Sequence, residues 1–208
     1  TYPSGKMGVS LTSVEKLKRA VEMARDNKLQ LAVHAMGDKA IQTVIDVTKD
    51  MKPWLTTMPS VRIEHASLMT DQMFAEIANS EMNYALVTQP IFFFAEDESY
   101  RHYLSPAQFK LAYRVKTMLN SQAMLGLSSD APCTPWAEPD SPFYSIYAAV
   151  TRKAANDDVV NAEEAITVPQ AILGYTRDGA KIGGFDDNGT LEVGKAAGFV
   201  ILNDDIFT

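Results

Sequence analysis

Three side chains that can bind a divalent metal close separate strand-like segments of the sequence. His34 and His65 end two short apolar runs, and Asp130 ends a later one. In α/β sheets the carboxyl ends of strands carry the catalytic groups, because the strand fixes the backbone while the following loop leaves the side chain open to a pocket. Two imidazoles and one carboxylate suit Zn(II), Mn(II) or Fe(II), and such a metal makes bound water a nucleophile near neutral pH.

The same histidines also have a structural interpretation, since a strand-terminal histidine is more often hydrogen-bonded within the fold than bound to a metal. Their matching positions at the ends of successive strands, together with Asp130, support the metal interpretation beside the structural one. His102 lies in a segment without strand character and is interpreted as a surface loop residue. We interpret Asp38 as a helix N-cap, and Glu64 should face away from the histidine that follows it.

The segment at 90–105 is predicted to be a loop that supplies an apolar pocket with acidic surroundings. Its Phe92, Phe93 and Phe94 could line that pocket, and Asp97 and Glu98 are expected on a solvated face. Cys133 has no neighbouring histidine, so it is not expected to act as a thiol nucleophile.

The composition excludes several other classes of function. The 208 residues carry a formal charge of -7, which argues against nucleic acid or anionic membrane as a partner. A single cysteine rules out an internal disulfide and a cysteine-rich zinc module, and no apolar run is long enough for a membrane span. We expect a cytoplasmic chain that acts on a small molecule. Because it begins at Thr1 rather than at a methionine, we expect it to belong to a longer protein.

The elements that must position these residues alternate between strand and helix. Because parallel strands need a long return connection, this alternation predicts an α/β fold with right-handed crossovers. Four such strands are half of a (β/α) barrel of the TIM type, which would cover residues 1–185, and residues 186–208 would begin a flanking domain. The predicted strands are 29–35, 61–65, 83–89, 123–130 and a final one within 194–204. The predicted helices are 12–27, one following Gly37, 71–79, 105–119, 141–155 and 168–183.

Six segments resemble, in the same order along the chain, the second half of the amidohydrolase superfamily. The similarity is to the branch of N-substituted formamide deformylases and D-aminoacylase-like enzymes. The resemblance covers about residues 10–206. The segments are VHAMGDKAI from position 33, RIEHASL from 62, VTQP from 87, LSSDAP from 127, AAVTRK from 148, and YTRDGAKIGG with GTLEVGKAAGFVILND.

This resemblance implies a role for each candidate residue. His34 and His65 correspond to the metal-binding histidines of barrel strands five and six. Asp130 corresponds to the strand-eight aspartate, which binds the metal and carries a proton from the attacking water to the leaving nitrogen. The implied reaction is hydrolysis of a carbon–nitrogen bond in an amide, a formamide or a cyclic amide. The implied cofactor is a divalent metal, most simply zinc, with iron or manganese as alternatives, and the last strand would begin a small β-sandwich.

The sequence also departs from that family pattern. It contains no H-x-H pair, which such enzymes supply from strand one, and the strand-four ligand is missing as well. Ser128 stands where a glycine is common, and Gly198 where an aspartate is usual. We therefore expect the isolated chain to be inactive and to need the N-terminal half of the barrel as its partner. An uncovered sheet edge also favours self-association into a homo-oligomer.

Two other functions remain open at this stage. The barrel could serve as a regulatory or ligand-binding scaffold that has lost its ligands, since a fold does not determine a function. The two-histidine, one-carboxylate set also fits a non-haem iron oxygenase. The wide spacing of the three residues over separate strands, together with the hydrolase-like segments, weighs against the oxygenase.

Overall fold

A four-stranded parallel sheet forms the centre of the structure, a computed structural model that describes residues 8–207. The strands lie in the order β1-β2-β3-β4, and every neighbouring pair is parallel. This arrangement confirms the predicted α/β class and the first four predicted strands. The strands are β1 (Leu31–Ala35), β2 (Val61–His65), β3 (Tyr84–Thr88) and β4 (Met124–Leu127).

Helices connect the strands and follow the last of them. They are α1 (Val14–Asp26), α2 (Asp38–Thr48), α3 (Asp71–Asn79), α4 (Pro90–Tyr103), α5 (Pro106–Phe109), α6 (Val115–Leu119), α7 (Pro142–Thr151), α8 (Val168–Tyr175) and α9 (Arg177–Gly183), with a 3-10 turn at Ala162–Glu164. No helix within residues 8–207 is both long enough and apolar enough to cross a membrane.

Local sequence signals explain where several helices begin. The Ser13 hydroxyl accepts a hydrogen bond from the backbone N–H of Lys16, and Thr70 caps α3 in the same way. Such caps satisfy backbone donors that the first turn of a helix leaves unpaired. At α2 the N-cap residue is Gly37, and Asp38 is the first helical residue, so the predicted cap lies one position too late.

The two faces of the sheet have different surroundings. One face packs on the main helical core, where Ile63 and Leu86 are fully buried. On the other face, Ala85 and Val87 pack against Ile182 of α9. The outer strand β1 alternates between partly buried and exposed residues and leaves His34 exposed. The sheet is therefore covered on one side and partly open on the other.

The segment predicted to be a loop at 90–105 is instead the helix α4. Pro90 is its first residue, a position where proline's fixed φ is favourable and its missing N–H costs nothing. The next four residues, 91–94, are buried against the core, which explains a helix here in physical terms. The helix is kinked at Glu96, where φ is -125° and ψ is 17°. His102 consequently lies in the last turn of a helix and not in a loop.

Two predicted helices are divided in the structure. The helix expected at 105–119 is interrupted between Phe109 and Val115, a stretch that contains Tyr113 with a left-handed φ of 50°. The helix expected at 168–183 breaks at Thr176, where φ is -115° and ψ is -93°. Each interruption separates two short helices, α5 from α6 and α8 from α9.

The strand predicted within 194–204 is wrong for this structure. Residues 194–204 form no sheet pairing, and Phe199, Val200 and Ile201 are 65%, 79% and 85% exposed. A strand persists only where its N–H and C=O groups pair with a neighbour. No strand within residues 8–207 pairs with this segment, although the outer edges of β1 and β4 are unpaired. The division at residue 185 and the flanking β-sandwich stay predictions.

Candidate functional site

The three predicted site residues gather at the carboxyl edge of the sheet. His65 is the last residue of β2, His34 is the last but one of β1, and Asp130 lies three residues beyond β4. The two imidazole rings are edge to face, with centroids 4.5 Å apart. The His65 Nε2 atom lies 3.8 Å from Oδ2 of Asp130. His65 therefore contacts both other residues and occupies the centre of the group.

Burial distinguishes the central residue from the other two. His65 is 5% exposed, whereas His34 and Asp130 are exposed. Burial lowers the pKa of the His65 imidazole below its ordinary value, and the His34 ring acts in the same direction. Asp130 and the hydrogen bond to the amide oxygen of Gln89 oppose this pKa shift without reversing it. A lowered pKa favours the neutral imidazole, which is the form that binds metals.

A glutamine holds the buried histidine from its other side. The Oε1 atom of Gln89 lies 2.9 Å from Nδ1 of His65, and Gln89 is 1% exposed. The Gln89 side-chain amide donates in turn to the hydroxyl of Ser128, at 2.8 Å. Hydrogen bonds of this kind orient metal-ligating histidines in known metal sites.

Left-handed backbone occurs at two of the three site residues. The φ angles are 71° at His65, 47° at Ala66 and 52° at Asp130. Residues other than glycine rarely adopt this region, and such strain concentrates at functional sites. In a regular strand, His65 would face the side opposite to Glu64 and His34, since it pairs with Ala35. Its ring nevertheless contacts the ring of His34, so the alternation of side chains ends at His65. Glu64 pairs in register with His34, and its carboxylate binds Arg62 at 2.7 Å.

The chemistry of these residues fits a divalent metal, although they do not yet form a closed site. No group of three or more His, Cys, Asp or Glu side chains within residues 8–207 is arranged to hold a metal ion. Two ligands of a tetrahedral zinc lie roughly 3.3 to 3.4 Å apart, given metal–ligand distances of about 2.0 to 2.1 Å. The 3.8 Å between His65 and Asp130 is close to that value. His34 is exposed, and its ring lies against that of His65.

Other predicted residues have different surroundings. Phe92 lies beside the His65 ring at a centroid distance of 5.8 Å, while Phe93 packs on Tyr113 in the core. Phe94 lines a separate open cavity of about 420 Å³ together with Tyr144 and other residues. The three phenylalanines therefore do not line one pocket.

The remaining candidates lie outside the group. His102 is exposed and contacts the ring of Tyr103, which agrees with a surface role. Cys133 is exposed. Asp97, expected on a solvated face with Glu98, is instead 3% exposed and binds Nε of Arg101 at 2.7 Å. Its partner is four residues further along the same helix, so an i,i+4 charge pair is the signal that could have indicated this contact.

Sequence reasoning missed two residues that support the site. The Gln89 side chain hydrogen-bonds His65, and Ser128 hydrogen-bonds Gln89. Glu96 lies four residues after Phe92 in α4, at the kink of that helix. Partial burial raises the pKa of the Glu96 carboxyl, and a hydrogen bond from Thr134 opposes that pKa shift. The only local signal was the position of Gln89 directly after β3, which matches the positions of the two histidines.

Comparisons with known proteins give one consistent family. A family model described as "Amidohydrolase family" matches residues 1–208. YtcJ of Bacillus subtilis (strain 168), named an amidohydrolase, is 29% identical over 204 residues, which are 96% of this chain and 37% of that protein. The N-substituted formamide deformylase of Arthrobacter pascens is 27% identical over 179 residues, 85% of this chain and 32% of that protein.

A solved structure agrees with these sequence matches. It is an uncharacterized metal-dependent hydrolase from Pyrococcus horikoshii OT3, which superposes with a TM-score of 0.81 at 31% identity. The superposition covers 97% of this chain and 39% of that one. The chain thus spans less than two fifths of the length of each of these three proteins.

Proposed function

The chain belongs to the amidohydrolase family, and on this premise we propose that it is the C-terminal part of a metal-dependent hydrolase that cleaves a carbon–nitrogen bond. The substrate is an amide, a formamide or a cyclic amide. The observation that carries this proposal is the contact of His65 with both His34 and Asp130 at the carboxyl edge of the sheet. The relatives named as an amidohydrolase, a deformylase and a metal-dependent hydrolase support it.

His34, His65 and Asp130 are the proposed metal ligands. Zinc suits this donor set best, and iron or manganese would also accept it. When bound, the metal polarises the substrate carbonyl and lowers the pKa of water. The neutral His65 ring offers a nitrogen lone pair without first losing a proton, which its lowered pKa favours.

Asp130 is the proposed proton carrier. Its carboxylate is exposed on the open side of the site, where a substrate and a water molecule can reach it. It takes a proton from the attacking water as the water oxygen bonds to the carbonyl carbon. It then returns that proton to the leaving nitrogen as the carbon–nitrogen bond breaks. Positioned carboxylates contribute about 10² to 10⁴-fold to the rate of such steps.

The sheet is proposed to be half of a (β/α) barrel. Its strands follow one another in chain order, as barrel strands do, whereas doubly wound sheets reverse their order. The exposed residues of β1 lie on the face that a barrel would enclose. The remaining strands would come from polypeptide outside the 208 residues, consistent with the larger size of the relatives. The isolated chain is accordingly proposed to be inactive.

A ligand-binding scaffold without catalysis is the second candidate. It is favoured by the absence, within residues 8–207, of three acidic or histidine side chains converging on one point. The two candidates differ in what happens to the substrate, because only the hydrolase releases a free amine.

The experiment is an amine-release assay on the longer protein, loaded with zinc and offered N-formyl amines, simple amides and cyclic amides. We expect turnover by the longer protein and a loss of about 10² to 10⁴-fold in kcat for Asp130→Asn. The exposed Asp187→Asn serves as a matched control that keeps the wild-type rate. Turnover of no substrate, or full turnover by Asp130→Asn, would refute the hydrolase and leave the binding scaffold.

A further inference from the structure

Three strand ends are connected at the site by two side-chain hydrogen bonds. They join His65 at the end of β2, Gln89 directly after β3 and Ser128 directly after β4. The two bonds are 2.9 and 2.8 Å long, and both meet at a glutamine that is 1% exposed. We propose that Gln89, held by Ser128, is a positioning residue that fixes His65 in the tautomer with its proton on Nδ1. The link to metal binding rests on the function proposed above.

The surroundings of the Gln89 amide determine which way it faces. Its nitrogen lies 2.8 Å from the Ser128 hydroxyl and 3.4 Å from the backbone carbonyl of Val87. A carbonyl oxygen can only accept, so the amide nitrogen must face it as a donor. The amide oxygen then faces His65 and can only accept, and therefore Nδ1 of the ring must carry the proton.

This tautomer has a chemical consequence. With the proton on Nδ1, the Nε2 atom keeps its lone pair and points toward Asp130. The hydrogen bond made by one ring nitrogen sets the role of the other. Without an acceptor beside Nδ1, an imidazole in water prefers the opposite tautomer, in which Nε2 carries the proton and cannot bind a metal. Gln89 thus prepares the ring as a ligand before any metal arrives.

The tautomer can be measured directly, without metal and without activity. The chain has only three histidines, so a long-range ¹H–¹⁵N spectrum of ¹⁵N-histidine-labelled protein contains three ring patterns, assignable with His34→Ala and His102→Ala. The spectrum is recorded at about pH 8, above the ordinary histidine pKa of about 6.5. We expect the Nδ1–H pattern for His65 in the wild type.

Three variants test the role of the glutamine. Gln89→Leu should shift the ring to the Nε2–H pattern, whereas Gln89→Glu keeps an acceptor and should restore the wild-type pattern. Ser128→Ala should give a mixture, because the amide loses its shorter hydrogen bond. Gln30→Leu is the matched control, since Gln30 is also part-buried and hydrogen-bonded but binds the backbone of Pro59 and Ile182 instead. A wild-type Nε2–H pattern, or an unchanged pattern in Gln89→Leu, would overturn the proposal.

Zinc affinity, measured by competition with a chromophoric chelator, separates this inference from the proposed function. Loss of such an orienting contact typically weakens metal binding 10 to 100-fold, so we expect about that loss in Gln89→Leu and near-wild-type affinity in Gln89→Glu. If the wild type binds zinc and Gln89→Leu binds it equally well, the positioning role is overturned and the proposed function stands. If the wild type binds no zinc, the proposed function fails, while the tautomer measurement still decides the role of Gln89.

Discussion

Glu164 illustrates how a buried carboxylate supports the strand that leads to Asp130. It is 6% exposed and accepts hydrogen bonds from the backbone N–H and the hydroxyl of Thr117, at 2.8 and 2.6 Å. The guanidinium of Arg114 adds a longer contact at 3.4 Å. These contacts join the 3-10 turn to α6, which precedes β4. We therefore expect Glu164→Ala to weaken the packing of the 3-10 turn against α6 and to destabilise the fold.

The magnitude follows from the two short bonds. Hydrogen bonds to a charged group contribute about 1.5 to 3 kcal/mol each, which gives a gross loss of about 3 to 6 kcal/mol. The Thr117 hydroxyl can rotate to another acceptor, and water can enter beside the part-buried Arg114. We therefore expect Glu164→Ala to lower the free energy of unfolding by about 3 kcal/mol. For a chain of this size that corresponds to a fall of about 6 to 12 °C in Tm.

The assay is urea unfolding followed by circular dichroism, with a constant slope m as the check that both states are comparable. Glu163→Ala is the matched control, because Glu163 is adjacent in sequence but exposed. It should change stability by no more than about 0.5 kcal/mol. Equal effects of the two substitutions, or a loss below about 1 kcal/mol in Glu164→Ala, would refute this reasoning.

Two further predictions concern the charge of the Glu96 carboxyl and the packing of Gly174 against Leu127. Glu96→Gln should stabilise the fold at neutral pH, because burial raises the pKa of that carboxyl and its ionised form is disfavoured in the folded state. The wild type should lose stability relative to this variant as the pH rises above about 4, in urea unfolding at several pH values, and equal stability at all pH values would contradict the prediction. Gly174→Ala should destabilise by about 1 to 2 kcal/mol, since its new Cβ would lie 2.9 Å from Cγ of Leu127. Gly198→Ala, in open surroundings, is the control for thermal unfolding, and equal Tm values would disprove the clash.

The sequence predicts the sheet well because its signals are local. Each of the first four strands is a short apolar run, and each run forms a strand of the sheet. The helix predicted at 71–79 has the same bounds in the structure, Asp71–Asn79. The loop predicted after Pro90 was wrong, because a short apolar run without clear periodicity does not distinguish a helix from other buried structure.

The candidate site could be predicted only in part. The positions of His34 and His65 follow from strand ends, which the sequence locates. The hydrogen bond between Gln89 and Ser128 joins residues 39 apart and depends on the register in which β3 pairs with β4. Neither that register nor the left-handed φ of His65 has a local sequence signal, so the sequence alone could not predict them.

The most direct test of the central claim is a zinc titration of the chain, with His34→Ala beside the wild type. The claim is that His34, His65 and Asp130 hold one divalent metal. His102→Ala is the matched control, because its exposed ring lies outside the proposed ligand set. The account predicts about one equivalent of zinc bound by the wild type and by His102→Ala, and its loss in His34→Ala. No zinc bound by the wild type, or undiminished binding by His34→Ala, would contradict it.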